Sequence, residues 1–485
     1  MVNKTEYDAI VVGAGPNGLA AAITLRQAGL SVLLVEAKST VGGGMRSAEL
    51  TLPGFVHDVC SAVHPMAVLS PFFKKMPLKQ FGLEMIQPEY AAAHPFDDGK
   101  AAVLHQSVVE TAEGLGIDKK AYLDFMQPLL ADLPGLLPDL LGPLTWPKHP
   151  IDLAMFGLKA LPPASWTRKF FKTQEARGLW AGMAAHAIQP LENIATSAFG
   201  IMLMAGAHLA GWPIPKGGSQ SIANALASYF LSIGGEIQTD FEVKSLDGLP
   251  PAKAVLLDIT PRQLLKIAGN KLSPSYRKKL EKYRHGMGVF KIDWALSEPI
   301  PFTADACKKA GTVHLGNTFE EIAHGEKSMD KGKHVDKPFV LLAQQSLFDP
   351  GRVPAGKQSA WAYCHVPNGS NKDMTAIIED QVERFAPGFR DTIIEKHTMN
   401  TVQIEAYNPN YIGGDINGGV QDILQLYSRP TLQVSPYRTS AEGVYLCSSS
   451  TPPGGGVHGM CGHHAARQAL KDVFKIDDIA AERVK

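Results

Sequence analysis

The sequence predicts an α/β protein that contains a Rossmann-like dinucleotide-binding domain, and three glycine-rich loops lead to this prediction. The first loop follows a short apolar run at residues 7–12 and precedes a helix-like segment. The second occupies residues 42–47, and the third, residues 452–459, again stands between a strand-like and a helix-like segment. Strand, glycine loop and helix in this order are typical of a turn that approaches a dinucleotide phosphate.

The first loop has the G-x-G-x-x-G spacing, formed by Gly13, Gly15 and Gly18. The first glycine allows a tight turn, the second lets the backbone approach a diphosphate, and the third lets the helix pack closely on the strand. The helix predicted from Pro16 onward directs its unpaired N–H groups and the positive end of its dipole at the same point. We therefore expect an anion there.

An acidic residue after the second strand indicates a ribose contact. The strand-like run at residues 31–36 ends in Glu36, 23 residues after Gly13. A carboxylate at this position hydrogen-bonds ribose hydroxyls and repels a 2′-phosphate, so FAD or NAD fits better than NADP. An ordinary βαβ unit without a ligand is the structural alternative.

The second and third loops favour FAD over NAD. Residues 42–47 combine glycines with Arg46, whose guanidinium can neutralise a diphosphate. Residues 452–459 precede a helix-like run at residues 461–470, whose N-terminus is expected to face the pyrimidine edge of an isoalloxazine ring. A cofactor that meets both ends of the chain requires a discontinuous domain.

At 485 residues the chain is too long for one compact core. We predict an FAD-binding domain assembled from residues 1–75, 217–269 and 431–485, and an α+β substrate-binding domain assembled from residues 76–216 and 270–430. In the middle segment, Ser219 is expected to cap a helix, Gly234 to end it, and Glu236 to start a strand.

Composition and charge exclude several classes of function. The 47 basic residues balance 47 acidic ones, so no nucleic-acid partner is expected. The five cysteines are scattered, as in free thiols of a reducing compartment, and no C-x-x-C pair predicts dithiol chemistry. No secretory signal is recognised, and the predicted location is cytoplasmic. The most apolar run, residues 198–212, is shorter than a membrane span and predicts a buried helix.

Five motifs resemble those of the FAD-dependent phytoene desaturase and carotenoid isomerase-like flavoproteins, and in particular the branch that includes pyridine nucleotide-disulfide oxidoreductase domain-containing protein 2. They are VGAGPNG at 12–18, GGGMR at 42–46, PGFVHDVCSAVH at 53–64, PKGGS at 215–219 and PPGGGVHGM at 452–460. The first and last motifs mark the broad superfamily, whereas residues 57–64 are specific to the narrower branch. The resemblance spans most of the chain.

The resemblance implies an FAD-binding domain of the glutathione-reductase type and a second domain that closes a tunnel over the flavin ring. Members of the family oxidise, saturate or isomerise long apolar molecules. The glycine loops and this resemblance together predict as cofactor-binding residues Gly13, Gly15, Pro16, Gly18, Glu36, Ala37, Gly43, Gly44, Met45, Arg46, Val243, Gly456, Val457, His458 and Gly459. No metal site is predicted, because the spacing of Cys461, His463 and His464 is poor.

Two regions carry more specific structural expectations. Relatives have extra strands beside the adenine, but here residues 242–246 lead through a short connection into the apolar run 254–258, so a trimmed adenine side is expected, with Val243 in contact through its backbone. The proline-rich segment 128–163 is expected to break helices into short pieces. Its apolar side chains line a tunnel, meet a membrane interface or pack in a helical cap.

Candidate catalytic residues are few, because FAD performs the difficult step and the protein mainly orients the substrate and excludes water. His64, the first choice, His458 and His57 are the candidate acid or base groups, since their motifs adjoin the cofactor loops. The alternative for each is a histidine that bonds the backbone or packs below the ring. Asp415 and Asn417 either reach the flavin or substrate or belong to a multiple-turn connector.

The sequence thus predicts an FAD-dependent oxidoreductase that desaturates or saturates a carbon–carbon bond of an apolar, isoprenoid- or lipid-like substrate by hydride transfer. The alternatives are a redox-neutral flavin isomerase, an amine oxidase, and a flavin-binding interaction protein with little catalysis. The expected partners are the substrate and an unidentified electron acceptor, with peripheral membrane contact and a homodimer also considered.

Overall fold

The alternating burial of the first strand explains why two layers of helices enclose the N-terminal sheet. Ala9 and Val11 face one hydrophobic core, whereas Ile10 and Val12 face another. A strand that is apolar on both faces is typical of a parallel sheet covered on both sides. The computed structural model describes residues 6–477, so residues 1–5 and 478–485 of the predicted FAD-binding domain lie outside the described residues.

Residues 6–477 contain sixteen strands and sixteen α-helices. The strands are β1 (Tyr7–Val12), β2 (Val32–Val35), β3 (Ser47–Glu49), β4 (Val56–Asp58), β5 (Met85–Ile86), β6 (Tyr90–Pro95), β7 (Ala101–Leu104), β8 (Ile214–Pro215), β9 (Glu236–Gln238), β10 (Ala252–Leu257), β11 (Gly288–Leu296), β12 (Ala310–Leu315), β13 (Val340–Ala343), β14 (Gln358–Val366), β15 (Ile393–Met399) and β16 (Val444–Leu446). The helices are α1 (Pro16–Gln27), α2 (Pro65–Leu69), α3 (Val108–Gly114), α4 (Lys119–Leu140), α5 (Pro150–Ala160), α6 (Ala164–Thr167), α7 (Gln174–Ala184), α8 (Thr196–Ala210), α9 (Gln220–Ser232), α10 (Pro261–Ala268), α11 (Pro274–Leu280), α12 (Phe319–Asp330), α13 (Thr375–Phe385), α14 (Thr401–Tyr407), α15 (Ile423–Leu426) and α16 (Met460–Ala469).

The first sheet is parallel, with the strand order β16-β10-β1-β2-β9. Helices α1, α9 and α16 pack on one face, and α10 and α11 supply the core on the other. This is the Rossmann-like α/β fold that the sequence predicts. Its strands come from the three segments assigned to the FAD-binding domain; the exact domain boundaries stay a prediction.

The second sheet has seven strands in the order β15-β11-β14-β13-β12-β6-β7. All its pairs are antiparallel except β12 with β6. Ile292 and Trp294 of β11 and Leu342 of β13 pack with Ile378 of α13 in a separate core. The opposite face, which includes Thr312 and Tyr363, borders the candidate site described below.

The C-terminal helix closes the first sheet by packing directly on the first helix. A Cβ at Gly459 would stand 2.9 Å from Cβ of Ala20, and a Cβ at Gly462 would overlap the carbonyl oxygen of Asn17. Glycine is therefore required where α16 touches α1. This contact brings the first and last glycine loops, more than 400 residues apart, to the same end of the parallel sheet.

Two sequence expectations about this fold are confirmed. Between β9 and β10 the chain forms no strand, so the adenine side is trimmed. The apolar run 198–212 forms helix α8, whose residues Ile201 and Met204 are buried. Across residues 6–477, no helix combines the length and the apolar character needed to cross a membrane.

The expectation that prolines break the segment after residue 128 into short helices is wrong for its first part. Helix α4 runs unbroken over 22 residues and contains Pro128, Pro134 and Pro138. All three prolines lie on the exposed face, where water can hydrate the carbonyls that lose their N–H partners. Leu129 and Leu133 on the opposite face are buried, and their packing holds the helix together.

Ser219 occupies the predicted N-cap position of α9, but its side chain makes no capping hydrogen bond. Its hydroxyl donates instead to the carbonyl oxygen of Ser61 at 2.6 Å. The helix ends at Ser232 and is followed by Gly234 with φ +86°, as the sequence predicts. The predicted N-cap position is therefore correct, but the side chain of Ser219 bonds Ser61 instead of capping the helix.

Candidate functional site

A cavity of about 750 Å³ runs from the carboxyl ends of β1, β2 and β10 to the face of the second sheet. This is where ligands bind in open parallel sheets. Eleven of the fifteen predicted cofactor-binding residues border it: Gly13, Gly15, Pro16, Glu36, Ala37, Gly43, Gly44, Arg46, Val243, Gly456 and Val457. Gly18, Met45, His458 and Gly459 do not border it.

The first two glycine loops touch each other at the cavity wall. A Cβ at Gly43 would stand 2.9 Å from Cα of Gly15, and Gly43 itself has φ +55°. A Cβ at Gly18 would overlap the carbonyl oxygen of Gly13, whose φ is +96°. These contacts demand glycine, and they leave bare backbone facing the cavity at the N-terminus of α1, as diphosphate binding requires.

Glu36 and Arg46 form a buried pair on the same wall. The Nη2 of Arg46 lies 2.9 Å from Oε1 of Glu36 and also donates to the carbonyl oxygen of Thr40. The other carboxylate oxygen of Glu36 accepts from the backbone N–H of Ala14 at 2.8 Å. The sequence predicts a ribose contact for Glu36 and a diphosphate contact for Arg46. In the structure these two side chains orient each other at the cavity wall.

Asp258 is a cavity residue that the sequence reasoning missed. It follows β10, and its Oδ2 accepts the N–H of Gly18 at 2.9 Å, in the first turn of α1. Burial, reinforced by the charge of Glu36, raises the pKa of Asp258 to about 7, although the bond from Gly18 opposes this shift. A carboxylate directly after a buried strand at the ligand-binding edge of the sheet was the available signal.

The segment from residue 60 to 66 links the dinucleotide end of the cavity to its far end. Ser61 donates through its backbone N–H and its hydroxyl to the carbonyl oxygen of Gly44, at 3.1 and 2.8 Å. Three residues later, the N–H of His64 donates to the carbonyl oxygen of Pro213 at 2.9 Å. All residues of the segment border the cavity.

His64 is held in one tautomer by its neighbours. Its Nε2 lies 2.8 Å from Oγ of Ser219, which donates its one proton to the carbonyl oxygen of Ser61. Ser219 must therefore accept, and Nε2 bears the ring proton. Burial lowers the pKa of His64 to about 4, so the ring is neutral at pH 7. Its Nδ1 then offers a lone pair without a partner among the described residues.

The other two candidate histidines do not reach the cavity. The Nε2 of His57 lies 2.8 Å from Oγ1 of Thr51, and its Nδ1 lies 3.7 Å from a carboxylate oxygen of Asp293. The Nδ1 of His458 accepts the N–H of Met460 at 3.0 Å, at the start of α16. Burial lowers the pKa of both imidazoles to about 4. His458 thus matches the alternative of a histidine that bonds the backbone, whereas His57 contacts two side chains.

Asp415 and Asn417 have different positions. Asp415 is buried, and its carboxylate accepts the N–H groups of Gly286, Asn417 and Gly419, so it stabilises the turn. Asn417 borders the cavity. At the start of α16, burial raises the pKa of the Cys461 thiol to about 12, which argues against a reactive thiolate there.

The far end of the cavity was not predicted from the sequence. We call it the inner chamber and define it by eight of the cavity residues, four between residues 186 and 212 and four on the second sheet: His186, Ile188, Leu203, Trp212, Thr312, Leu341, Trp361 and Tyr363. The sequence signal for these residues is weak, because aromatic and apolar residues in strands and helices usually belong to the hydrophobic core. Their shared exposure to one cavity becomes visible only after folding.

The residues of this site fit FAD. Two touching glycine loops, a C-terminal loop with Gly456 at φ +123°, and the groove beside Val243 border one elongated cavity. Such a cavity suits an extended dinucleotide with a ring at one end and an adenine at the other. His64, whose buried Nδ1 has no partner among the described residues, borders the same cavity.

Comparisons with known proteins agree with this geometry. Residues 11–75 match the model of the NAD(P)-binding Rossmann-like domain. The chain is 26% identical to mouse pyridine nucleotide-disulfide oxidoreductase domain-containing protein 2, covering 97% of the chain and 94% of that protein. It is 24% identical to a limonene dehydrogenase polypeptide of Castellaniella defragrans, covering 100% and 99%, and 23% identical to phytoene desaturase (neurosporene-forming) of Rhodobacter capsulatus, covering 98% and 95%.

Solved structures share the fold. An oxidoreductase from Methanosarcina mazei has a TM-score of 0.63 at 15% identity, covering 96% of the chain and 100% of that structure. Putrescine oxidase bound to putrescine has a TM-score of 0.60 at 16% identity, covering 97% and 99%. Over its whole length, the chain is thus homologous to the FAD-dependent oxidoreductases that include pyridine nucleotide-disulfide oxidoreductase domain-containing protein 2, limonene dehydrogenase and phytoene desaturase.

Proposed function

We propose that this FAD-dependent oxidoreductase desaturates or saturates a carbon–carbon bond of a neutral, apolar substrate held in the inner chamber. The observation that supports this proposal is the distribution of charge along the cavity. Its charged side chains all lie on the dinucleotide side: Glu36, Lys38, Arg46, Glu242, Lys244, Asp258 and Lys266. The inner chamber contains none, and burial keeps its His186 neutral by lowering the pKa to about 3.

An uncharged chamber selects its ligand by desolvation. A charged ligand would lose its hydration without gaining a counter-ion, which costs several kcal/mol per ion. An apolar ligand gains roughly 25 cal/mol for each Å² that it buries against Ile188, Leu203 and Leu341. The names of relatives also point to apolar substrates, since phytoene and limonene appear in two of them.

The residues of the chain perform three tasks in this reaction. When bound, FAD supplies the hydride acceptor or donor. The inner chamber orients the substrate and excludes water. In desaturation, His64 accepts the proton that leaves the substrate when hydride is transferred, because its Nδ1 is an unprotonated base whose ring is oriented by Ser219. The backbone N–H of His64 donates to the carbonyl oxygen of Pro213, which follows the chamber residue Trp212 in the chain.

The proposal is tested by anaerobic mixing of the purified yellow protein with apolar isoprenoids. We expect bleaching of the flavin bands and a product that has lost one hydrogen molecule. A preparation that is colourless and does not take up FAD would contradict the proposal. A product of unchanged mass would favour the redox-neutral isomerase, and a flavin that no substrate or reductant alters would favour the interaction protein.

Amine oxidation is the second candidate, and one contact favours it. The rings of Trp361 and Tyr363 lie 5.3 Å apart in the inner chamber. Aromatic pairs can flank a neutral amine, and putrescine oxidase and cyclohexylamine oxidase share the fold. The chamber has no carboxylate for a second, charged amino group. Reduction of the flavin by a monoamine, with release of an aldehyde, would support this alternative.

We also propose that one surface contacts anionic lipids. It comprises the exposed apolar side chains of Leu144, Trp146, Ile151, Met155, Leu158, Trp166 and Phe170, with Trp146 88% and Leu158 70% exposed. Between residues 144 and 172 there are five lysines and arginines and a single acidic residue. Apolar side chains among cations suit a membrane interface. Sedimentation with phosphatidylserine vesicles, and its loss in Trp146→Glu, test this contact.

The remaining predictions concern the cellular setting. The five cysteines are free, as expected in a reducing compartment, and we propose that the protein acts in the cytoplasm. Fractionation of cells that express a tagged chain tests this location. An unidentified electron acceptor and a homodimer stay predictions.

A further inference from the structure

The inner chamber contains hydrogen-bond donors that the protein does not satisfy. Within residues 6–477, the buried Nε1 of Trp361 has no hydrogen-bond partner. Oγ1 of Thr312 accepts the indole N–H of Trp212 at 2.9 Å, and no acceptor in the described chain takes its own proton. The hydroxyl of Tyr363, on the same face of β14 as Trp361, also makes no hydrogen bond with the residues described. Buried donors without acceptors are rare in native proteins.

The imidazole of His186 provides a fourth donor, as its hydrogen bond with His314 indicates. Its Nε2 lies 3.0 Å from Nε2 of the buried His314, so one of the two nitrogens donates to the other. The Nδ1 of His314 is buried and has no partner. The arrangement that leaves no N–H unsatisfied there protonates His314 on Nε2, which donates to His186. The proton of the neutral His186 then lies on Nδ1, and His186 borders the cavity.

Except for His186, these groups belong to β12 and β14, the two strands that flank β13. Thr312 and Trp361 both pair with Ala343, from the two sides of β13. His314 and Tyr363 both pair with Leu341 in the same way. Residues that flank one strand lie two strand spacings apart, about 10 Å, which a small functional group and its carbon neighbours can span. None of the eight side chains of the inner chamber is a carboxylate, an amide, a lysine or an arginine.

We propose that the inner chamber binds the carbonyl oxygen of a neutral apolar substrate. This inference rests on the proposed function and narrows its substrate class to ketones, aldehydes or esters. A carbonyl oxygen only accepts, and it therefore suits a chamber in which an indole N–H, two hydroxyls and an imidazole N–H each need an acceptor. A carboxylate brings an uncompensated charge, and a hydrocarbon leaves all the donors unsatisfied.

The test compares two probes on the FAD-loaded protein by isothermal titration calorimetry. One is geranylacetone, an isoprenoid ketone, and the other is its analogue in which a methylene group replaces the carbonyl oxygen. We expect the ketone to bind at least about tenfold more tightly, since sites built to bond an oxygen discriminate strongly against its loss. Infrared difference spectra should show the bound carbonyl stretch at a lower frequency than in hexane.

Two single variants locate the donors. Tyr363→Phe and Trp361→Phe each remove one donor and keep a ring, so the ketone should bind about tenfold more weakly while the analogue binds as before. Trp180→Phe is the matched control, because its indole N–H is bonded to the carbonyl oxygen of Ala164 away from the chamber. It should change neither affinity.

Equal affinity for the two probes, no binding of either, or an unchanged ketone preference in both variants would overturn the inference. These outcomes leave the flavin bands and substrate-driven bleaching untouched, so they do not affect the proposed function. Conversely, a protein without flavin refutes the proposed function before any probe is added. The two failures are therefore distinguishable.

Discussion

At the scale of single residues, the protonation state of His64 follows from one serine. Ser219 has a single proton and gives it to the carbonyl of Ser61, so the imidazole must donate from Nε2 and keep Nδ1 free. Burial holds the pKa near 4, which makes this nitrogen a base throughout the neutral range. A surface histidine, with a pKa close to 6.5, would be half protonated near neutrality.

Replacing this base tests its role. His64→Gln keeps an N–H for Ser219 but lacks the lone pair of Nδ1, so kcat should fall by about 10²–10⁴-fold while the FAD content stays normal. In the parent, the rate should be lost only as the pH falls through about 4, because the base must be unprotonated. Ser219→Ala frees the ring orientation and should cost less. A full rate in His64→Gln, measured by stopped-flow flavin bleaching, would exclude the role.

We expect Asp258 to make cofactor binding depend on pH. Its pKa in the folded protein, about 7, lies above the value of 3.8 for an exposed aspartate, so the native state holds a proton that the unfolded chain releases. The stability of the FAD-free protein should therefore decrease as the pH rises from about 4 to 7. A diphosphate beside the carboxyl disfavours its charge further, so FAD binding should take up a proton.

The variant Asp258→Asn removes this ionisation and keeps an oxygen for the N–H of Gly18. It should unfold at a higher temperature than the parent at pH 8 and at a similar one at pH 5. Its Kd for FAD, measured by fluorescence quenching, should be nearly equal at pH 6 and 8, whereas the parent should bind more weakly at pH 8. Asp330→Asn, remote from the cavity on α12, should retain the pH dependence of the parent. A parent with constant affinity would contradict this coupling.

At the scale of elements, sequence patterns predicted correctly those structures that depend mainly on interactions between neighbouring residues. The first βαβ unit follows from its alternation and its glycines, because the chain there has few conformations compatible with its burial. Helix α4 shows the opposite case. Its three prolines predicted breaks, but tertiary packing of Leu129 and Leu133 keeps the helix continuous while the prolines face water. The spacing of residues in the sequence does not by itself predict that packing.

The same limit explains which site residues were found. The glycine loops and Glu36 belong to short motifs whose geometry is set by nearby residues. Trp212, Thr312 and Trp361 border one cavity although they come from distant segments, and none has a motif around it. Ser219 was predicted from its position before a helix, whereas its bond to His64 depends on the fold.

The contact between α1 and α16 tests whether the two chain ends must meet for FAD to bind. A Cβ at Gly462 overlaps backbone of α1, which cannot move without shifting the first glycine loop. Gly462→Ala should lower the unfolding free energy by at least about 2 kcal/mol and weaken FAD retention. Gly157→Ala on α5, where a Cβ meets Leu161 at 3.9 Å, is the matched control and should be neutral or stabilising. An unchanged melting temperature in Gly462→Ala would contradict the close approach.

At the scale of the whole molecule, a buried ion-pair network joins the segment beside the second sheet to the cofactor side. Arg352 is fully buried and donates to Asp58 at 2.6 Å, to Asp349 at 2.9 Å and to the carbonyl oxygen of Pro215 at 2.8 Å. Asp58 also accepts from the backbone N–H of Ser219, the residue that orients His64. The network therefore helps to fix Ser219, and through Ser219 the proposed base His64.

Removing the cation of this network should destabilise the protein strongly and in a pH-dependent way. Burial opposes the ionisation of Asp58, but the charge and hydrogen bonds of Arg352 outweigh it and lower the pKa of that carboxyl. Arg352→Met leaves the carboxylate buried without a counter-ion, which should cost about 3–5 kcal/mol at pH 7. As the pH falls toward 4 the stranded carboxyl takes up a proton, so the difference from the parent should shrink.

Denaturant unfolding at pH 7 and pH 4.5 measures both effects. Arg390→Met is the matched control, because Arg390 pairs with Asp380 at 2.7 Å while remaining 41% exposed, and such pairs contribute about 0–1 kcal/mol. If the stability lost in Arg352→Met is as small as in this control, or is equal at both pH values, the network does not join the two sheets energetically. If the loss of stability in Arg352→Met is large and pH-dependent, the orientation of His64 depends on a residue far away in the sequence. The catalytic rate of Arg352→Met should then fall together with its stability.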